Sequence, residues 1–194
     1  MAADLRAQVL DASVQLIAEA GLAGLSMREV ARRAGVSHQA PYHHFHDKES
    51  IVAALVERGF GKLADRMEAA AAGKGTVAQR LAKTGREYVE FALAEPVFFR
   101  LMFRPELVAL ARFPAASAAG ARAFTVLQRL IDERTEGTRA SQAKKDALVS
   151  MHWSVVHGLA ALMIDGVLGE KYLKVEDREK HVAMVLELFA DGAV

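Results

Sequence analysis

The stretch SHQAPYHHFH (37–46) gathers four histidines, a glutamine and a tyrosine into ten residues. The chemistry open to such a mixture is recognition. A glutamine pairs bidentately with adenine and an alanine touches a thymine methyl, while tyrosine, histidine and lysine reach phosphate oxygens and set register. His38, Gln39, Ala40 and His43 are expected to face outward, with Gln39 and Ala40 suited to base edges. Tyr42, His44 and Lys48 suit phosphate contacts, and Arg28 and Ser37 complete the expected DNA-facing set. His43, His44 and His46 could instead hold a metal, since imidazoles are good ligands. With no cysteine nearby or elsewhere in the chain, no metal is expected. Protonation of crowded imidazoles also offers a route to pH-dependent binding.

A second group lies late in the chain. Trp153 and His157 stand four apart, so their side chains share a helix face. Together with Tyr88, Phe91, Phe99, Met102 and Phe103 they could line a ligand pocket, because apolar walls with few polar groups are the usual recipe. The same spacing fits a core tryptophan beside a hydrogen-bonded histidine, and the sequence leaves both open. Ser154, Gly158 and Ala161 form a small-residue stripe that lets another helix approach closely. With Val185 and Phe189 they are the expected dimer interface, of two-fold four-helix type.

Catalysis finds less support. His152 and His157 are five apart with no glutamate between, which does not fit a helical zinc-protease site. No glycine-rich phosphate loop follows a strand, and no serine, histidine and acid stand out together. The absence of cysteine removes disulfides, thiolate zinc sites and cysteine nucleophiles. Neither enzymatic activity nor a cofactor is expected.

These groups need helices to hold them. Apolar residues recur at helical spacing from Asp4 to Ala20, and Gly21 stops the run. Ser26 opens a second helix, with Glu29 at capping-box spacing. Gly35 suits a sharp turn. Ser37 can cap a third helix running to about Phe45, and Asp47 a fourth carrying Ile51, Leu55, Phe60 and Leu63. Pro41 forfeits one helical hydrogen bond, which predicts an irregular start to the third helix. Residues 69–76 read as a break, 77–94 as an amphipathic helix, and 95–105 as a short aromatic one. Residues 113–121 are ambiguous, 123–131 helical, and 132–142 a polar linker. A long apolar helix to about Leu168 and a last one from Asp177 to Ala190 complete the chain.

Residues 26–55 resemble the DNA-binding head of the TetR (AcrR-type) regulators. Val30, Ala31, Ala34, Gly35, Val36, Ser37, Tyr42, His44, Phe45, Lys48 and Glu49 carry the likeness. Pro41 departs from the more usual leucine before the tyrosine. The run Trp153-Ser-Val-Val-His157-Gly158, with 86–103, is similar to one subfamily named for its Trp, His and Gly. The resemblance implies a helix-turn-helix whose second helix enters the major groove, and a dimer built by the last two long helices.

The expectation is therefore an all-α protein of about nine helices. Residues 1–50 form a three-helix, helix-turn-helix DNA-binding head, and 51–194 a larger ligand-binding and dimerisation bundle. Expected partners are a double-stranded DNA operator, a second copy of the chain and a small, largely apolar effector. The net charge of +1 does not announce a nucleic-acid binder, and residues 1–50 carry no basic excess. Residues 147–164 lack formal charge, the lower edge of a membrane span. They include His152, His157 and Gly158, however, and a helix packed by protein on both sides is preferred to a membrane segment. The N-terminus shows no signal peptide, so the cytoplasm is expected.

Overall fold

The computed structural model describes residues 2–168 and 177–192. Eight α-helices and no strand occur among them. They are α1 (Ala2–Ala20), α2 (Met27–Arg33), α3 (Lys48–Ala71), α4 (Val77–Ala94), α5 (Pro96–Met102), α6 (Pro114–Arg134), α7 (Gln142–Ile164) and α8 (Arg178–Gly192). The chain divides into two compact units, one of residues 1–60 and 97–119, the other of 61–96 and 120–194.

In the first unit, local chemistry sets the boundaries of α2. Ser26 accepts a hydrogen bond from the Glu29 amide at 3.2 Å, which caps its N-terminus. The reciprocal half of the expected box is not made, because the Glu29 carboxylate turns to Arg32, with both its oxygens 3.0 Å from Nε. At the other end Val36 N reaches Ala31 O at 3.1 Å across Gly35, whose φ of 67° lies in the left-handed region. This six-residue closure satisfies the last carbonyls of the helix.

The third helix of the head is a short 3-10 helix, Ala40–His43. Here the sequence expectation of an α-helix from Ser37 needs correcting. Pro41 has no amide hydrogen to give to the Ser37 carbonyl, so the bonds that form are the tighter ones: Ala40 N to Ser37 O at 3.0 Å, Tyr42 N to Gln39 O at 3.1 Å and His44 N to Pro41 O at 3.0 Å. No side-chain cap precedes it. In place of about nine helices, the described residues form eight α-helices and three short 3-10 helices: this one, Leu22–Gly24 and Leu110–Arg112.

Asp47 opens α3 as expected. Its Oδ1 accepts from Ser50 N at 2.8 Å, and Asp47 N donates to Ser50 Oγ at 3.2 Å. Val9, Leu10, Leu16, Leu25, Val30, Pro41, Phe45, Ile51, Val52 and Leu55 are buried and hold the head together. Phe98, Phe99 and Met102 of α5 are buried in the same unit, where Phe103 meets the rings of Phe60 and Phe99 edge-on at 5.5 and 5.3 Å.

In the second unit, α4 starts at a full capping box between Thr76 and Gln79, and Ser141 caps α7. Helix α4 lies close to α7 and α8 at Gly85, where a Cβ would sit 3.0 Å from Val156 Cγ1 and 3.4 Å from the Leu186 methyls. Phe91, Val89, Leu130, Ile131, Leu159, Met163, Val182 and Leu186 are buried there. Arg66–Glu87, Arg80–Glu133 and Arg122 with Asp65 and Glu68 join neighbouring helices at the surface. Such exposed pairs add little stability each.

Residues 113–121, ambiguous in the sequence, belong mostly to α6, and α3 continues to Ala71 into the expected break. Helix α7 ends at Ile164 rather than near Leu168, with a turn closed by Gly166. Among the described residues, α7 alone is long and apolar enough to cross a membrane by length and composition.

Candidate nucleic-acid interface and effector site

The 3-10 turn sits with Pro41 and Phe45 inward, and their burial leaves a ridge outside. Ser37, His38, Gln39, Tyr42, His43 and His46 are exposed, while Ala40 and His44 are half-buried. The His38 and Tyr42 rings lie 5.9 Å apart, so Tyr42 braces one end of the ridge. Arg28, on the outer side of α2, is exposed as well. Of the sequence-derived DNA set, Arg28, Ser37, His38, Gln39, Tyr42 and His43 are exposed, Ala40 and His44 half-buried, and Lys48 is otherwise engaged. That side chain is half-buried, and its ammonium donates to the Leu22 carbonyl at 2.6 Å, tying the start of α3 to the turn before α2. Next to it, Glu49 accepts from Ala109 N at 3.2 Å and from Arg112 at 2.6 Å. Sequence patterning had no means of finding that tie, because it joins residues sixty apart. Among the described residues, no three histidine or acidic side chains are placed to hold a metal.

In the second unit, Tyr88, Trp153 and His157 form a hydrogen-bonded relay. The Trp153 indole can only donate, and its Nε1 lies 3.3 Å from the Tyr88 hydroxyl. The Tyr88 hydroxyl lies 2.8 Å from His157 Nδ1. While its oxygen accepts from Trp153, Tyr88 still has its one proton, which it can give to Nδ1 of the neutral imidazole tautomer that carries its hydrogen on Nε2. Burial pushes the His157 pKa down and that of Tyr88 up, which keeps both groups neutral. Tyr88 is buried but Trp153 remains 39% exposed, its ring edge-on to Phe124 at 5.8 Å. Phe124 is not among the expected site residues, because on the alanine-rich α6 it meets Trp153 only across the fold.

Of the other expected pocket residues, Phe91 is buried in this same unit. Phe99, Met102 and Phe103 belong to the first unit, in the aromatic cluster described above. The expected dimer residues lie together in the second unit. Ser154 is exposed and Gly158 and Ala161 half-exposed along one side of α7, flanked by exposed Met151 and Leu162. On α8, Met184 and Leu188 are 60% and 69% exposed, with Val185 half-buried between them. Phe189 turns partly inward, its ring 4.8 Å from that of His152. His152 itself is buried; its Nδ1 donates to Leu148 O at 2.8 Å and its Nε2 has no partner.

Comparison with known proteins bears on both units. Residues 9–55 match the family model "Bacterial regulatory proteins, tetR family", and 81–189 match "Tetracyclin repressor-like, C-terminal domain". The chain is 34% identical over 174 residues to the HTH-type transcriptional regulator BetI of Rhizobium meliloti (strain 1021), covering 87% of this chain and 78% of that protein. A protein of unknown function from Rhodococcus sp. RHA1 shares the fold at TM-score 0.77 and 27% identity, over 97% of this chain and 93% of that one. FadR of Bacillus subtilis, solved in complex with stearoyl-CoA, shares it at TM-score 0.71 and 19% identity, over 93% and 96% of the two chains. With family models matched in both parts of the chain and a regulator 34% identical over most of it, the chain belongs to the TetR family of DNA-binding transcriptional regulators.

Proposed function

We propose that the protein acts in the cytoplasm as a homodimeric repressor, released from a near-palindromic operator by a small, largely apolar effector. The observation that carries the dimer is the exposed apolar face of α7 and α8: Met151, Leu162, Met184 and Leu188 around the small residues Ser154, Gly158 and Ala161. Large apolar side chains exposed together on adjacent helices mark an interaction surface. Small residues along its middle permit close helix approach, and a two-fold operation places the same stripe on both sides. That symmetry makes the operator a pair of inverted half-sites about 34 Å apart, the separation that two recognition elements span on one DNA face.

In this reading residues 1–50 are the DNA-binding head and 51–194 the sensing and dimerisation part. Gln39 and Ala40 read base edges, His38 and His43 flank them, and Arg28, Ser37, Tyr42 and His44 contact phosphates. Lys48 acts from the start of α3, whose position it fixes through Leu22. The effector binds in the second unit, beside Tyr88, Phe91, Trp153 and His157. The relay supports this because it sets polar groups of fixed orientation among aromatic rings, the combination that orients a mainly apolar ligand. FadR of Bacillus subtilis offers a parallel, a protein of this fold with a long acyl thioester bound. An effector lowers DNA affinity only by binding the non-DNA conformation more tightly.

The test is direct. DNA fragments enriched by the purified protein from a random pool should share an inverted repeat, and the complex should contain two protomers. A single asymmetric half-site bound by one protomer would reject the proposal.

A further inference from the structure

The fixed cations of the head are largely committed within the protein. Arg32 lies across Glu29, with Nε 3.0 Å from both carboxylate oxygens. Arg33 donates to Glu19 at 2.6 Å, and Arg6 pairs with Glu57 at 3.8 Å while its guanidinium lies over the Phe45 ring. Hydrogen bonds from Arg32 and Arg33 hold the Glu29 and Glu19 carboxyls below the usual carboxylate range, so both stay ionised. An arginine that left such a pair for a phosphate would strand a carboxylate beside a polyanion. Each pair therefore brings no net positive charge to DNA. Lys48 keeps its charge, but its ammonium is drawn in to the Leu22 carbonyl. Among the described residues of the head, Arg28 is the exposed cation outside any ion pair.

What the recognition surface does hold is imidazole. His38, His43 and His46 are exposed and His44 half-buried, all on or beside the 3-10 turn. The groups around them are few. Tyr42 lies against His38 and Phe45 against His44. Arg28 and the neutralised Glu29–Arg32 pair stand on α2, and the Arg6–Glu57 and Arg33–Glu19 pairs involve α1. At the start of α3, Asp47 is bound to Ser50 N, Lys48 to Leu22 O, and Glu49 to Arg112. No carboxylate is hydrogen-bonded to any of the four rings among the described residues.

We propose that His38, His43, His44 and His46 are proton-dependent phosphate contacts, so that acidification converts a weakly charged DNA-binding face into a strongly charged one. This rests on the DNA-binding reading and adds to it a regulation by pH. Imidazole is the side chain that gains its charge between pH 8 and pH 5. Each protonated ring within reach of a phosphate releases a counterion, which raises affinity and steepens its dependence on salt. A dimer carries eight such rings. At about −0.9 per contact, the slope of log affinity against log salt grows in magnitude by up to about 7 when all eight are charged.

The experiment uses the full-length protein and a fluorescein-labelled duplex of mixed sequence, with a duplex selected by the protein measured in parallel. Binding is titrated by anisotropy across a salt series at pH 8.0 and at pH 5.8. The expected result is a steeper salt slope and at least tenfold tighter mixed-sequence binding at the lower pH. The variant with His38, His43, His44 and His46 all changed to glutamine should show one slope at both pH values, with circular dichroism verifying its fold. Equal slopes at the two pH values for the unaltered protein overturn the inference, as does a pH-dependent slope that survives in the glutamine variant. Absence of binding to either duplex at every pH overturns the DNA-binding reading along with it.

Discussion

Gly158→Leu puts the proposed dimer to a quantitative test. Within the protomer a Cβ on Gly158 meets nothing within 4 Å, so the added side chain has room when the chain is alone. Replacing a mid-helix glycine by leucine should favour α7 itself by roughly 0.5–1 kcal/mol. At a close helix contact the effect reverses, since overpacking costs about 1–3 kcal/mol per site. A two-fold interface contains the change twice. The loss of about 2–6 kcal/mol corresponds to association weakened between about 30-fold and 20,000-fold. Sedimentation equilibrium over a concentration series measures the dimer constant, and circular dichroism reports helix content in the same samples. The expected outcome is weaker dimers with helix content intact. A variant that dimerises as tightly as the unaltered protein, still fully helical, would show that another face makes the interface.

Gly85→Val should be destabilising for the opposite reason, since its Cβ already stands 3.0 Å from Val156 Cγ1. A cost of about 1–3 kcal/mol lowers the melting temperature by roughly 3–10 °C, and an unchanged melt would mean that α4 can retreat freely. His152 predicts the pH dependence of stability. Its burial holds the folded pKa below the ordinary value, opposed by the Leu148 carbonyl and aided by Arg134. On acidification the unfolded chain takes up the proton first, so stability present above about pH 6.5 is lost as pH falls towards the folded value. Thermal melts from pH 8 to pH 5 should show that fall, and His152→Phe should make it shallower, leaving the part that half-buried His157 contributes; an equally steep fall in the variant assigns it elsewhere. Finally, Trp153→Phe and His157→Ala should each blunt the effector's release of DNA while leaving effector-free binding nearly intact. A confirmed effector that neither shifts the emission of Trp153, the chain's one tryptophan, nor depends on either residue binds elsewhere.

Much of this protein could be read from residue order because the signals are local. A serine cap, a glycine that can take a φ of 67° and an apolar residue each turn act over a few positions, so α2, its turn and α3 were legible. The family resemblance rests on that same local run. The small-residue stripe of α7 was visible too, since helical spacing alone aligns Ser154, Gly158 and Ala161. Which way that stripe faces was not, because α7 is apolar all round and its pattern has no polar side. Only packing against α4 and α8 turned His152, Leu159 and Met163 inward and left the stripe outside. Pro41 announced the irregular third helix, since the amide hydrogen it lacks is a local fact, but its depth in the head was settled by packing of the turn against α1 and α2. The relay needed Tyr88 and Trp153 to meet across sixty-five positions, and the commitment of Lys48 needed a carbonyl twenty-six residues earlier. Sequence determined the helices and the surface chemistry they carry; tertiary structure decided which charges remain for DNA, because pairing across the fold is not written in spacing.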